Sequence, residues 1–486
     1  MTGMLRVLHR WLGIAGCLLF VMWFSSGLVM TQVGFPNLTE AERLHGLGVL
    51  APGEVVITPD QAMQAAGLTV FPRRIWLESL LREDGVARPV WRMVAADGSR
   101  HAIDAVSGQP VDAVAPAQAT AIARAFSGAP AARWLETVDH DAWTLLSGLD
   151  RQRPFHRIAL DDAAGTELYV SARSGEVVRD TTRRERLWNW LGAVPHWLYF
   201  PALREQAALW RQVLLWASGL SCTVAFSGLV LGVLRLRRAR SPYRGWMKLH
   251  HVAGLSGGVL VFTWITSGWL SMSPADLLHA ASPDGTAIAR YAGHDDTDFP
   301  WPSGGLPALA GTADMALKEV QLNWIGGRPR LTLTGDSVAS RTTVELPSGE
   351  PAQVSQNEAE AGARALFPEA PIVTVDLLTQ EDTWWYSRRD ARELPAWRVT
   401  LGDEAGTWLH IGARDGRLLG TMNRTARLRR WLFNAPHTLE LPGLTAAPTA
   451  RSGLLWLLAL LGLTVPVSGA VIGWRRLRGI RGRPVR

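Results

Sequence analysis

Four apolar runs, each long enough to cross a lipid bilayer, constrain this chain more than any other feature. A transmembrane helix needs about 20 apolar residues, and none of the four runs contains an aspartate or a glutamate. All 43 acidic residues lie in the two long segments between the runs. We therefore predict four membrane-spanning helices. The runs cover roughly residues 7–30, 209–234, 250–272 and 453–474.

The positions of the basic residues predict how these helices are oriented. Much of the net charge of +7 comes from short basic segments at the chain ends and in the loop 235–249. Short loops rich in Lys and Arg stay in the cytoplasm. Both termini and the loop are therefore expected inside, and the two long segments outside. The basic character reflects membrane topology, so nucleic acid is not an expected partner.

The two halves of the chain repeat each other at a constant offset of 241 residues. The motif 8-LHRWLGIAG-16 returns as 249-LHHVAGLSG-257, and 227-SGLVLGV-233 returns as 468-SGAVIGW-474. The Pro-His pair at 195–196 returns at 436–437. We predict an internal duplication in which each copy contributes a span, an extracytoplasmic domain and a second span. Both copies then run in the same direction through the membrane.

The two extracytoplasmic segments combine helix signals with short alternating strands turned by Ser-Gly and Asp-Gly pairs, a pattern typical of α+β domains. The predicted fold class is an α+β membrane protein. No small-residue cleavage site follows the first run, which indicates an uncleaved anchor. The predicted parts are the transmembrane helices 1–30, 209–234, 250–272 and 453–474, the periplasmic domains 31–208 and 273–452 with interfacial helices 186–203 and 427–444, the cytoplasmic loop 235–249 and the cytoplasmic tail 475–486.

Two histidine pairs related by the 241-residue offset are the candidate functional residues. Of the 12 histidines, only His9 with His250 and His196 with His437 obey the offset. A site between the copies would use one residue from each, and polar side chains in or beside a membrane are costly and usually functional. The other histidines are expected to be ordinary surface or hydrogen-bonded residues.

The first pair begins two of the predicted spans, and each of its histidines is followed by glycines on the same helical face. Residues four and seven positions apart share a face of a helix. A histidine beside two glycines leaves a flat slot of the kind that a porphyrin needs, and imidazole is the usual ligand of haem iron. Alternatively, the small residues simply let helices pack closely. The four glycines are Gly13, Gly16, Gly254 and Gly257.

The second pair, His196 and His437, lies about 13 residues before the second and fourth runs, in aromatic stretches suited to a membrane interface. These histidines either form a second ligand pair or hydrogen-bond lipid headgroups. About 30 Å of hydrocarbon separates the two faces, so the pairs cannot share one iron. The economical hypothesis is two haems, one in each leaflet, which together pass electrons across the membrane. Without a C-x-x-C-H motif, each haem would be a non-covalent b-type haem.

Several other chemistries lack their sequence signatures. The chain has no Rossmann or P-loop glycine motif, no H-E-x-x-H and no G-x-S-x-G, which argues against a nucleotide enzyme, a zinc peptidase and an α/β-hydrolase. Cys17 and Cys222 both lie in apolar runs, which excludes a disulfide scaffold and a cysteine-ligated metal site. A transporter is disfavoured because the spans carry no acidic residue.

The chain resembles the PepSY-associated transmembrane (PepSY-TM) family. The resemblance rests on the LHRWLG opening, its echo LHHVAGLSG, the Ser-Gly exits at 26–27 and 267–268, and the two Pro-His segments. It covers nearly the whole chain, and the membrane motifs are its specific part. Members are bacterial inner-membrane proteins, often iron-regulated, and several are ferric-siderophore reductases that carry b-type haems.

The resemblance implies that His9, His250, His196 and His437 are axial ligands of two haem irons. It implies an oxidoreductase that takes electrons from a cytoplasmic reductase or a membrane quinol and reduces a ferric siderophore or another Fe(III) chelate in the periplasm. His251, which aligns with Arg10, is an alternative ligand to His250. In a competing hypothesis the protein is a membrane-anchored PepSY sensor or peptidase inhibitor without redox activity.

Overall fold

The chain divides into two compact units in a computed structural model. We call residues 1–35, 184–279 and 425–486 the helical unit, and residues 36–183 and 280–424 the sheet unit. The predicted tail residues 482–486 lie outside the described part of the chain. The structure describes residues 2–236, 238, 240–278, 283–293, 298–309, 315–388 and 392–481.

The protein is built from helices and antiparallel strands, as the α+β prediction required. The α-helices are α1 Thr2–Met30, α2 Glu40–Gly46, α3 Pro59–Ala65, α4 Pro116–Ser127, α5 Arg183–Leu191, α6 Ala193–Trp197, α7 Pro201–Arg204, α8 Ala207–Leu234, α9 Gly245–Ser256, α10 Gly258–Ser271, α11 Gly285–Ala292, α12 Gln356–Leu366, α13 Arg424–Arg429, α14 Ala435–Thr438 and α15 Pro448–Arg481. The strands are β1 Arg74–Leu81, β2 Ala87–Val94, β3 Arg100–Asp104, β4 Arg133–Val138, β5 Phe155–Ala159, β6 Glu167–Ser171, β7 Val177–Thr181, β8 Glu319–Ile325, β9 Arg328–Thr334, β10 Thr342–Glu345, β11 Ile372–Leu378, β12 Ala396–Leu401, β13 Trp408–Gly412 and β14 Leu418–Met422.

Three helices of the helical unit, α1, α8 and α15, are long and apolar enough to cross a membrane. Each coincides with one of the predicted apolar runs and extends beyond it by a few residues at one or both ends. Helix α1 packs against both α8 and α15, and α10 packs against the same two helices. Phe20, Trp23 and Phe24 of α1 are buried at the centre of this packing.

The third predicted span, 250–272, is not one straight helix. The structure divides it into α9 and α10, whose axes differ in direction by 61°. Only together are these two helices long and apolar enough to cross a membrane. The bend falls at Ser256-Gly257-Gly258, and glycine–serine sequences are common sites of helix kinks. A Cβ atom on Gly257 would lie 3.2 Å from the carbonyl oxygen of Leu461. The glycine therefore allows the bent backbone to approach α15 closely.

The predicted interfacial helices 186–203 and 427–444 are wrong as continuous helices. The first is interrupted at Gly192 and Leu198, which separate α5, α6 and α7. The second is α13, a π-helical turn and α14. Leu198 and Leu439 end the Pro-His helices in the same left-handed conformation, with φ 51° and ψ 42° at both. Proline lacks an N–H group and left-handed residues end helices, so neither stretch continues as one helix.

The sheet unit contains three antiparallel sheets. A six-stranded sheet has the order β10-β9-β8-β1-β2-β3, and two four-stranded sheets have the orders β4-β5-β6-β7 and β11-β12-β13-β14. Helix α4 buries its apolar face in the same core as β5 and β6, and α12 does so with β12 and β13. Strands β6 and β7 recur 241 residues later as β13 and β14.

The six-stranded sheet joins the two halves of the sheet unit through one strand pair. β1 pairs with β8, so that Leu77 lies opposite Val320 and Glu78 lies opposite Glu319. The two leucine- and valine-rich faces form a common buried core. The two facing glutamates are also buried, which requires cationic partners nearby.

Candidate metal centre

Two histidines from different helices face each other near the start of α1. His9 lies on α1 and His250 lies on α9, and the centres of their imidazole rings are 6.4 Å apart with 37° between the ring planes. Both side chains are half-buried. We call these residues the first histidine pair.

Each imidazole of the first pair is held through its Nδ1 atom. His9 Nδ1 lies 3.0 Å from the carbonyl oxygen of Val224 and 3.3 Å from Ser227 Oγ, both on α8. His250 makes the same two contacts with α15, at 3.2 and 3.1 Å, with residues 241 positions further along. Because a carbonyl oxygen only accepts hydrogen bonds, Nδ1 donates and Nε2 keeps its lone pair. This is the tautomer that binds a metal through Nε2.

A second pair of histidines has almost the same geometry. His196 on α6 and His437 on α14 have ring centres 6.2 Å apart, with 67° between the planes. His196 Nδ1 lies 3.1 Å from Ser26 Oγ and 3.1 Å from the carbonyl oxygen of Trp23. His437 Nδ1 lies 3.0 Å from Ser267 Oγ. We call these residues the second histidine pair.

Tryptophans fix the short helices that carry the second pair. The indole Nε1 of Trp23 donates a hydrogen bond of 3.0 Å to the carbonyl oxygen of His196. Trp264 Nε1 donates to the carbonyl oxygen of His437 at 2.9 Å. These bonds tie α6 to α1 and α14 to α10, so the histidine backbone is held as firmly as its ring.

Every histidine of the two pairs contacts a Ser-Gly dipeptide on a neighbouring long helix. The serine hydroxyl meets Nδ1, and the glycine lies against the ring. A Cβ atom on Gly228 would lie 2.7 Å from His9 Cε1, and at the other three glycines the distance would be 3.3 or 3.4 Å. A side chain there would push the imidazole away. The four dipeptides are Ser26-Gly27, Ser227-Gly228, Ser267-Gly268 and Ser468-Gly469.

The ring separations match two imidazoles on opposite sides of one metal ion. A bond from an imidazole nitrogen to a metal ion is about 2 Å long, so two such rings have centres about 6 Å apart. Both pairs have this spacing. In the described part of the chain, no group of three or more His, Cys, Asp and Glu side chains is placed to hold a metal ion. Each pair therefore has the spacing of two imidazole ligands of one metal ion, a role that histidine commonly has at haem iron.

The predicted glycine slot is present beside the first pair only in part. An added Cβ atom on Gly254 would meet nothing within 4 Å, and on Gly13 and Gly16 the nearest atoms would lie at 3.7 Å or more. Gly254 therefore has open space beside it, whereas a methyl group on Gly13 or Gly16 would already touch Val224 or Phe20. Gly257 leaves no space, because it lies at the bend and packs against α15. Its assignment to the slot is wrong.

The structure separates His250 from its neighbour His251, which the sequence left as an alternative. His251 is buried, with Nδ1 2.8 Å from Ser241 Oγ and Nε2 2.8 Å from the carbonyl oxygen of Gly232. Both of its ring nitrogens are therefore occupied. His250 faces His9 instead, so His250 is the residue suited to bind a metal.

The two pairs lie far apart along the helical unit. His9 belongs to the first pair, and Trp23, fourteen positions later on α1, contacts the second. At 1.5 Å per residue this is about 21 Å along the helix. Phe24 and Trp264, whose ring centres are 5.5 Å apart, belong to the buried core of the helical unit. The two histidine pairs therefore do not contact each other, and a single metal ion could not bind both.

Comparison of the chain with protein-family models, with curated proteins and with solved structures finds no match.

Sequence reasoning selected the four histidines but missed the serines and glycines that position them. The Ser-Gly dipeptides were visible as repeated motifs at the predicted ends of helices. Their contact with the histidines joins residues 170 to 218 positions apart. The signal was that, among the Ser-Gly dipeptides within the predicted spans, only these four recur at the 241-residue offset.

Proposed function

We propose that this protein is a duplicated, four-span membrane protein of the PepSY-TM type that binds two b-type haems and reduces Fe(III) chelates. Each histidine pair would hold one haem through the two Nε2 atoms. When bound, haem supplies reversible one-electron chemistry at iron. The protein would thus carry electrons across a bacterial inner membrane.

The observation that carries this proposal is the repetition of one arrangement at both pairs. Ring separations of 6.4 and 6.2 Å occur with the same Nδ1 anchoring and the same Ser-Gly contacts. Packing of helices through small residues explains the glycines. It does not explain why four imidazoles are held in the tautomer and spacing of metal ligands.

In the proposed topology the bent pair α9 and α10 crosses the membrane as one span, which brings the number of spans to four. Both termini and the loop 235–249 would then lie in the cytoplasm, where short basic segments are retained. The first histidine pair would lie at the cytoplasmic side and the second pair at the periplasmic side. The sheet unit would form two periplasmic PepSY-like domains.

The chain's own side chains have three tasks in this proposal. The serine hydroxyls and backbone carbonyls orient the imidazoles by accepting their Nδ1 protons, which also makes Nε2 a better electron donor. Gly254 leaves open space on the helix that carries His250. Apolar side chains such as Phe20 and Phe24 would keep water from the helix interfaces beside the histidines.

The proposed reaction needs no general acid or nucleophile from the protein. A cytoplasmic reductase or a membrane quinol gives one electron for each iron, and the electron passes to a ferric chelate such as a ferric siderophore at the periplasmic side. Chelators selective for Fe(III) hold Fe(II) weakly, so reduction alone frees the metal. Positioning of the chelate and of the histidine ligands is what the protein supplies.

The experiment is reoxidation of the reduced protein by ferric chelates. The full-length protein is purified in detergent from haem-replete cells and reduced with one equivalent of dithionite, and its haem absorbance is followed after mixing. We expect ferric siderophores to reoxidise the haems during the time that the absorbance is followed. The reduced chelates should release Fe(II), which a ferrozine assay detects. The Ga(III) complexes of the same chelators are the matched control, because they have the same shape but accept no electron.

Two results would contradict the proposal. A colourless preparation would remove the haem and leave the anchored sensor or inhibitor as the better hypothesis. A haem protein that ferric chelates and Ga(III) chelates leave equally reduced would be an electron carrier with a different acceptor.

A further inference from the structure

A cavity of about 340 Å³ lies in the sheet unit where its two halves meet. It is close to the β1–β8 strand pair, and three of its six lining residues are arginines. The single lining carboxylate belongs to Glu40, whose side chain is paired with Arg341 at 2.6 Å. The lining residues are Leu38, Thr39, Glu40, Arg43, Arg74 and Arg417.

Arg43 is already ion-paired with two carboxylates at the β1–β8 strand pair. Its Nη1 and Nη2 atoms lie 3.1 Å from Glu78 and 2.5 Å from Glu319, the two buried glutamates that face each other across the strand pair. Burial alone would lower the pKa of Arg43, but these carboxylates raise it above its ordinary value. Arg43 is therefore a structural cation whose charge is already compensated by two carboxylates.

Arg417 is engaged in the same way. It pairs with Asp415 through Nε and with Glu393 through Nη2. Although burial opposes it, these two carboxylates raise the pKa of Arg417. Its guanidinium group is thus permanently charged and fixed in place at the cavity wall.

Arg74 differs from the other two arginines because its charge is poorly compensated. Within the described residues its ion-pair contact is a long one, 3.6 Å from Nη2 to Glu319. Its Nε atom is buried without a hydrogen-bond partner in that part of the chain. The guanidinium group lies 4.4 Å above the ring of Trp76, and the side chain is 40% exposed. Burial, together with Arg43 and Arg417, lowers the pKa of Arg74.

We propose that this cavity binds a small polycarboxylate anion, with Arg74 as its main contact. Planar guanidinium groups bind carboxylates through two parallel hydrogen bonds, and the partly exposed side chain of Arg74 lines the cavity together with Arg43 and Arg417. The Thr39 hydroxyl adds a neutral polar group, and Leu38 gives the carbon skeleton an apolar wall. The volume suits a di- or tricarboxylate. This inference is independent of haem binding and electron transfer.

Calorimetry with citrate tests the proposal on the full-length protein in detergent. We expect saturable binding of one citrate per chain. Arg74→Gln should weaken it about tenfold to hundredfold, because a hydrogen-bonded charge is lost. Arg88→Gln is the matched control: Arg88 is 36% exposed, pairs with Asp84 on the same sheet and does not line the cavity. It should bind citrate like the unmodified protein.

A second variant and a second anion make the test decisive. Arg74→Lys keeps the positive charge over Trp76 but loses the planar fork, so its citrate affinity should lie between those of the unmodified protein and Arg74→Gln. Phosphate should bind about tenfold more weakly than citrate, because it makes fewer contacts. The proposal is wrong if citrate does not bind saturably, if phosphate binds equally well, or if Arg74→Lys and Arg74→Gln bind citrate like Arg88→Gln.

Discussion

Two serine hydroxyls, one from each half of the chain, contact the histidines of the first pair in the same way. Ser227 and Ser468 both lie within 3.3 Å of an imidazole Nδ1, on helices that are 241 residues apart in sequence. Second contacts of this kind orient a ligating histidine and raise its basicity. Each ring also retains a backbone carbonyl as acceptor, so loss of the hydroxyl should loosen the ring without releasing it.

Replacing both serines tests this role. Ser227→Ala together with Ser468→Ala should weaken haem binding at the first pair about tenfold to hundredfold and leave the second pair unchanged. Transfer of haem to an excess of haem-free myoglobin measures the dissociation rates of the two sites. Ser256→Ala is the control, since its hydroxyl bonds only carbonyls of its own helix. Equal weakening of both pairs, or an equal effect of the control, would contradict the assignment.

His410 in the sheet unit is a buried histidine with a different role. Its ring stacks on Trp385 at 4.1 Å, and its Nε2 atom accepts a hydrogen bond of 3.0 Å from Arg398. Burial and the charges of Arg398 and Arg392 lower the pKa of His410 to about 3, although Asp382 opposes this. The folded protein therefore keeps this imidazole neutral where the unfolded chain would protonate it.

Stability of the sheet unit should consequently fall in mild acid. Between pH 6.5 and 4.5 the unfolded chain takes up a proton at His410 and the folded state does not, so this residue removes about 2 kcal/mol of unfolding free energy. Denaturant unfolding followed by circular dichroism measures this. His410→Gln should lose less stability than the unmodified protein over that pH range. His140→Gln, at an exposed histidine of the same unit, should lose as much stability as the unmodified protein. Equal pH dependence of the two variants would refute the prediction.

At the scale of elements, the open space beside α9 is the feature most closely tied to the proposed cofactor. Gly254 has no neighbour within 4 Å of an added Cβ atom, although it lies on the same helix as His250. The first carbon of a side chain there meets no atom of the fold. It would, however, occupy the slot that a flat ring needs.

Gly254→Leu should therefore leave the fold intact and abolish haem binding at the first pair. Thermal unfolding and haem content per chain measure the two effects separately. Gly453→Leu on α15 is the matched control, because this helical glycine also has nothing within 4 Å and belongs to neither pair. If Gly254→Leu retains as much haem as Gly453→Leu, the slot is not a haem site.

The elements that follow from local pattern were predictable. Three of the four apolar runs form long helices, and the segments between the runs combine helices with short strands, as predicted, because hydrophobic periodicity and turn residues determine these elements. The bend at Gly257 and the interruptions at Gly192 and Leu198 were not predictable. These interruptions depend on how neighbouring helices pack against each position, and that packing is a property of the tertiary structure.

The candidate site was predictable to a similar degree. The 241-residue offset selected the histidine pairs, and the structure places the two members of each pair close together. The sequence could not choose between His250 and His251, since one-residue steps on a helix differ only in the face they present. It also could not show that His251 is hydrogen-bonded at both ring nitrogens.

At the scale of the whole molecule, the proposal requires that the sheet unit and the loop 235–249 lie on opposite sides of the membrane. Cysteine substitution tests this in intact cells with a membrane-impermeant maleimide. Glu83→Cys, at an exposed position of the sheet unit, should react once the outer membrane is permeabilised. Arg244→Cys, exposed in the helical unit, should react only after the inner membrane is also opened. The reverse order would invert the proposed topology.

Haem content per chain in paired histidine variants tests the central claim most directly. The full-length protein should contain two haems with the spectrum of bis-histidine, low-spin iron. His9→Ala with His250→Ala should remove one haem, and His196→Ala with His437→Ala should remove the other, while each variant keeps the remaining bis-histidine spectrum. A haem-free protein from haem-replete cells, or two double variants that each lose or keep both haems, would contradict the account.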